Sequence, residues 1–234
     1  MKKFMTGQAA LPFPRFFARW LYMRRYDMLA LLLLPFVFWL LVLVVLLVAS
    51  GAEGGLDDAS ALAIPTVMAL VGSFFAILIL SLGDAGASFT MVVGWGHPRR
   101  YCVAAAWGCG IFFSAVNLLF AVVLQAVTTG IGALLGVGGS FDLLAKMPPV
   151  LWGLLLVAPT AVAVLDKGAV RRFGPKAASV LYLLFLFACI GGSNLVQAVE
   201  GPWLSFLGLV FTIALAVAAV LGSIWLLHAP VGNE

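Results

Sequence analysis

Four amides, Asn117, Gln125, Asn194 and Gln197, are the strongly polar side chains inside the apolar stretches of this 234-residue sequence, and Ser193 sits beside the last two. In hydrocarbon an amide either bridges neighbouring helices or lines a path for a polar solute, and the spacing leaves both roles open. Ion-coupled transport needs an ionisable group where the ion is held, and none stands mid-stretch. Asp84 and Asp166 lie at the ends of such stretches. The dipeptide Gly-Lys never occurs, so there is no phosphate-binding loop, and "VAVLD" at Val162–Asp166 reads as a helix end. Ser88 and His228 both fall at the edge of apolar segments, too far from any enclosed cavity for a Ser-His hydrolytic pair. Cys102, Cys109 and Cys189 have no C-x-x-C spacing and read as packing residues. His97 and His228 stand alone and are expected at the surface, so no metal site is expected. By itself the chain is not expected to be an enzyme.

These residues must be positioned by membrane helices. Hydrophobic residues make up 64% of the chain and charged ones 9%, against roughly 25% charged in soluble domains, with a mean hydropathy of +1.17. Six apolar stretches approach or reach the roughly 20 residues needed to cross a bilayer, about 28–50, 62–82, 103–127, 147–165, 177–199 and 203–227. The fold class expected is an all-α polytopic membrane protein with six transmembrane helices. Twelve of the thirteen Lys and Arg residues fall in three clusters: Lys2, Lys3, Arg15, Arg19, Arg24 and Arg25, then Arg99 and Arg100, then Lys167, Arg171, Arg172 and Lys176. Each cluster is reached by crossing twice. Glu53, Asp57, Asp58, Asp142 and Glu200 fall in the alternate connections. The positive-inside bias then puts both termini in the cytoplasm. Residues 1–27 form the cytoplasmic N-terminus and interfacial helix, 28–227 the six-helix domain and 228–234 a cytoplasmic tail. The net charge of +4 is accounted for by this topology, and no nucleic-acid partner is read from it. The first apolar run has no small-residue cleavage site after it, so no signal peptide is expected.

Before the first stretch, Phe13, Phe16, Phe17, Trp20 and Leu21 share one face of a helical wheel, while Arg15, Arg19, Tyr22 and Arg25 occupy the other. That pattern predicts a helix lying in the membrane interface, the alternative being a plain juxtamembrane anchor. The largest cytoplasmic connection, Gly83–Arg100, has Asp84 near a helix start, then Ser88, Phe89, Met91 and Val92, and is broken by Gly94, Gly96 and Pro98. It reads either as a short helix parallel to the membrane or as an extension of the second span. Thr128–Lys146 is glycine-rich yet apolar and is expected to sit partly in the interface. Gly191 and Gly192 weaken the fifth stretch, whose end is either re-entrant or an exposed tip.

An interfacial helix, two spans, a connection ending in a basic pair and four more spans together resemble the membrane-spanning subunit of an ABC-2-type ABC transporter, in the small six-helix form found in Gram-positive bacteria. Locally, "FTMVVGWGHPRRYCVAA" from Phe89 to Ala105 is similar to the family's Gly-x-x-x-Arg-Arg/Lys-x-aromatic pattern. His97 and Pro98 depart from it, as does Tyr101 in place of phenylalanine. The resemblance implies a plasma-membrane permease whose first helix is an elbow helix, carrying Phe13, Phe16, Phe17, Trp20, Arg15 and Arg19. It implies contact with the ATPase through Asp84, Phe89, Met91, Val92, Arg99 and Arg100, and a pathway or interhelical role for Asn117, Gln125, Ser193, Asn194 and Gln197. Its partners would be a separate ABC ATPase subunit, a second permease copy or paralogue, and membrane lipid. ATP and magnesium would sit on the ATPase, leaving no cofactor on this chain. The exported substrate would be a peptide, lipid, drug or polysaccharide. The alternative class is a structural or regulatory membrane subunit that transports nothing, or a substrate-binding membrane subunit of an importer.

Overall fold

A computed structural model describes residues 12–53, 62–83, 92–93, 96–135, 144, 147, 149–183 and 202–228, and among these all regular structure is helical. The main elements are α1 (Phe13–Met23), α2 (Arg25–Glu53), α3 (Ala63–Gly83), α4 (Arg99–Leu134), α5 (Pro149–Phe173) and α6 (Pro202–His228). A further helical segment covers 176–183. Five helices, α2 to α6, are long and apolar enough to cross a membrane. The expected span at 177–199 begins as helix, and its remainder lies outside the described residues.

All the long helices except α3 exceed the apolar stretches that announce them. α4 has 36 residues, which at about 1.5 Å each is longer than the roughly 30 Å hydrocarbon core. It continues through Thr128 and Thr129, where an interfacial glycine-rich segment was expected to begin. Both threonines turn their hydroxyls back onto carbonyls one turn earlier, Thr128 to Leu124 at 2.9 Å and Thr129 to Gln125 at 3.0 Å, so neither competes for the backbone outside the helix.

The chain divides into two compact units. The first comprises residues 1–24, 82–108 and 161–234, the second 25–81 and 109–160, so α4 and α5 contribute to both. In the second unit the core is Trp39, Leu43, Ala69 and Leu124, with Leu47, Phe120 and Ile131 against it. Gly72 lets α3 approach α2 closely, since a Cβ there would lie 3.3 Å from Pro35 Cα. Gly110 of α4 does the same against Thr160 of α5, whose side chain a Cβ would overlap. In the first unit Val103, Val164 and Leu226 form the core, and Gly168 and Gly222 bring α5 and α6 into backbone contact. Association of this kind relies on small residues, because lipid is as apolar as a leucine side chain and exerts no hydrophobic drive between helices.

Candidate functional site

Two constellations gather polar or charged side chains, one in each unit. In the first unit, the aromatic face of α1 is covered by protein. Phe13 meets the Tyr101 ring edge-on at 5.3 Å between centroids, Phe16 lies 5.8 Å from Tyr101 and 4.9 Å from the His97 ring, and the Phe17 ring fills the space a Cβ on Gly108 would take. Phe16 and Trp20 are buried, while Arg15 and Arg19 are exposed. His97 was expected at the surface; it is instead half-buried, its ring packed on Phe16 and its Nδ1 enclosed. Gly96, at φ +81°, makes the turn that delivers His97 to Phe16, with the Gly96 and His97 amides donating to the carbonyls of Val93 and Val92.

The same unit brings basic residues from distant parts of the sequence onto the last turn of α6. Arg99 donates from Nη1 to the Leu227 carbonyl at 3.2 Å, capping a helix end that carries partial negative charge. Arg172 lies 5.8 Å from the centre of the Trp225 ring, which also meets Phe173 edge-on at 5.2 Å. Trp107 donates its indole N–H to Ser223 Oγ at 3.0 Å, tying α4 to α6. His228 Nδ1 lies 2.9 Å from the Ile224 carbonyl. Of the described Lys and Arg residues, all but Arg25 belong to this unit.

In the second unit the amide Asn117 is 1% exposed and joins α4 to α3. Ser73 Oγ shares its proton between the Ala69 carbonyl at 2.8 Å and Asn117 Oδ1 at 3.3 Å, and Asn117 Nδ2 donates to the Phe113 carbonyl at 3.3 Å. About three turns further along α4, Trp39 of α2 donates to Thr128 Oγ1 at 2.9 Å. Gln125 is buried on the same stripe of α4. Ser114 and Thr160 are also buried, and their hydroxyls meet no protein partner.

Of the residues expected to contact an ATPase, Arg99 and Arg100 open α4, and Arg100 is exposed. Val92 is 2% exposed and is covered by the chain itself. Asp84, Phe89, Met91, Ser193, Asn194 and Gln197 lie outside the described residues. Cys102 and Cys109 are buried. No group of three metal-binding side chains occurs among the described residues. The contacts of Ser114, Thr160, Ser223 and the close-approach glycines carried no sequence signal, since Gly and Ser recur throughout the apolar stretches. No protein family, curated protein or solved structure matches this chain.

Proposed function

We propose that this chain is the membrane-spanning subunit of an ABC-2-type exporter in a bacterial plasma membrane, with both termini cytoplasmic. In this reading it forms the pathway for a peptide, lipid, drug or polysaccharide and is driven by a separate ATPase. The observation that carries the reading is the convergence in one unit of α1, the start of α4 and the ends of α5 and α6, with the basic clusters they bear. Such a convergence supports a common side for the three clusters, as the positive-inside bias requires. It also supports a mechanical role for the 83–100 connection. That connection ends at His97, on the Phe16 ring, and at Arg99, on the Leu227 carbonyl. A displacement imposed on it would therefore reach α1, α4 and α6 without any nucleotide or coupling ion on this chain.

The test is purification of the tagged chain from its host membrane. An ATPase with Walker motifs is expected to accompany it, and its absence under mild extraction would remove the permease reading. Phe89→Asp and Met91→Asp should each abolish that association while the protein stays inserted, because a carboxylate in an apolar groove is poorly solvated. Arg99→Gln with Arg100→Gln should disturb insertion or folding first. Full retention of the ATPase by both Asp variants would place docking elsewhere.

A further inference from the structure

In the second unit, α3, α4 and α5 line a small, partly open pocket with about 10 Å³ of room, enough for one water molecule. Its wall is mostly apolar, including Leu70, Phe74, Ile77 and Leu118, but Ser73, Ser114 and Asn117 also face it, as do Leu155 and Pro159. Its lining residues bring three hydrogen-bonding demands. Ser114 is 1% exposed and its hydroxyl has no protein partner, although a serine in mid-helix can ordinarily donate to the carbonyl one turn back. Asn117 Oδ1 receives only the longer share of the Ser73 proton. Pro159, inside α5, has no N–H, so the Leu155 carbonyl loses its partner in the next turn. One donor thus lacks an acceptor, and two acceptors lack a full donor.

We propose that this cavity holds a single water molecule as a fixed part of the fold, accepting from Ser114 Oγ and donating to Asn117 Oδ1 and the Leu155 carbonyl. A water needs two to four polar partners to be held in a buried site, and the lining residues Ser114, Asn117 and Leu155 offer three. The ligand is neutral because the site is. Its lining residues carry hydroxyl and amide groups and no carboxylate, so a cation would bring an uncompensated charge into a low-dielectric surround. The water closes the gap in the α5 hydrogen-bond ladder left by Pro159 and links α5 to α4. Proline is tolerated in membrane helices where such substitutes re-satisfy the backbone.

The test is solid-state NMR of the full chain in lipid bilayers, reading magnetisation transfer from water. Wild-type protein should show transfer to Ser114 and to the Asn117 side chain, deep in the apolar part of α4. Ser114→Val, whose branches fill the cavity, should lose the transfer at Asn117 while resonances of the first unit stay in place. Ser114→Ala, a milder change, should weaken the same transfer if the valine variant does not fold. Absence of transfer in wild type, or full transfer in the variants, would overturn the proposal. Melting of the wild type in sodium, potassium and choline chloride at equal ionic strength should give one temperature. A rise with one metal ion alone would instead make this a cation site.

Discussion

Trp39 and Trp107 each pass an indole N–H to a hydroxyl that passes its own proton to the carbonyl one turn back, Thr128 to Leu124 in one unit and Ser223 to Ala219 in the other. Each relay orients its hydroxyl, so the indole finds a lone pair ready, and bonds in such a chain polarise one another. Replacing either tryptophan by phenylalanine keeps most of the apolar contact and leaves the hydroxyl still bonded to its carbonyl. The expected cost is therefore small, about 0.6 kcal/mol for an interhelical bond and roughly 1.7 at the upper end. Because the two relays share no residue, the losses in Trp39→Phe/Trp107→Phe should add to within about 0.5 kcal/mol. Unfolding of the purified protein in bicelles measures this, and a strongly non-additive pair would mean that the relays are coupled. Neither relay was legible in the sequence. A tryptophan among leucines reads as one more apolar residue, and a serine or threonine in a helix gives no sign of which neighbour it will meet.

Among the elements, α1 makes contacts that its spacing did not announce. Its two faces were clear from spacing, and they fold as a helix over Phe13–Met23, yet the aromatic face rests on Tyr101, His97 and Gly108. Replacing Phe16, Phe17 and Trp20 with Ser should lower both the inserted yield and the melting temperature. Full burial of each large aromatic is worth roughly 1.5 to 3 kcal/mol. Arg15→Gln with Arg19→Gln, which alters exposed side chains, should change stability far less. Equal effects on both measurements would mean that α1 acts only as an anchor. α4 shows no such apolar face. Its buried stripe runs through Ala105, Cys109, Phe113, Asn117, Ala121, Leu124 and Thr128, small or polar residues for the most part. Its large apolar residues Leu119, Val122, Val123 and Val127 face outward. In lipid an apolar side chain is equally at home on either side, so apolar spacing says little about the interior of such a helix, whereas small and polar residues mark it.

For the molecule as a whole, the distribution of charge was the most legible property. The described basic residues collect in one unit with the single exception of Arg25. Cysteine labelling in whole cells tests the orientation that this grouping supports. With native cysteines removed, Asp57→Cys and Asp142→Cys should react with an impermeant maleimide, and Arg99→Cys and Arg172→Cys should not. Outside labelling at position 172 would reverse the assignment of that cluster. The division into two units that both draw on α4 and α5 was not legible, because it depends on contacts between residues far apart in the chain. Trp107 and Ser223 are separated by 116 positions and Arg99 and Leu227 by 128.

That separation sets an order of assembly. Every residue of the second unit has been synthesised by position 160, whereas the first unit takes pieces from the beginning, middle and end of the chain. On a ribosome, α2 and α3 and the later parts of α4 can settle while α6 is still unmade. Until it arrives, the Trp107 indole has no Ser223, Arg99 no Leu227 and Gly168 no Gly222. A nascent chain halted before α6 thus carries a bare glycine surface and an unspent N–H into the bilayer.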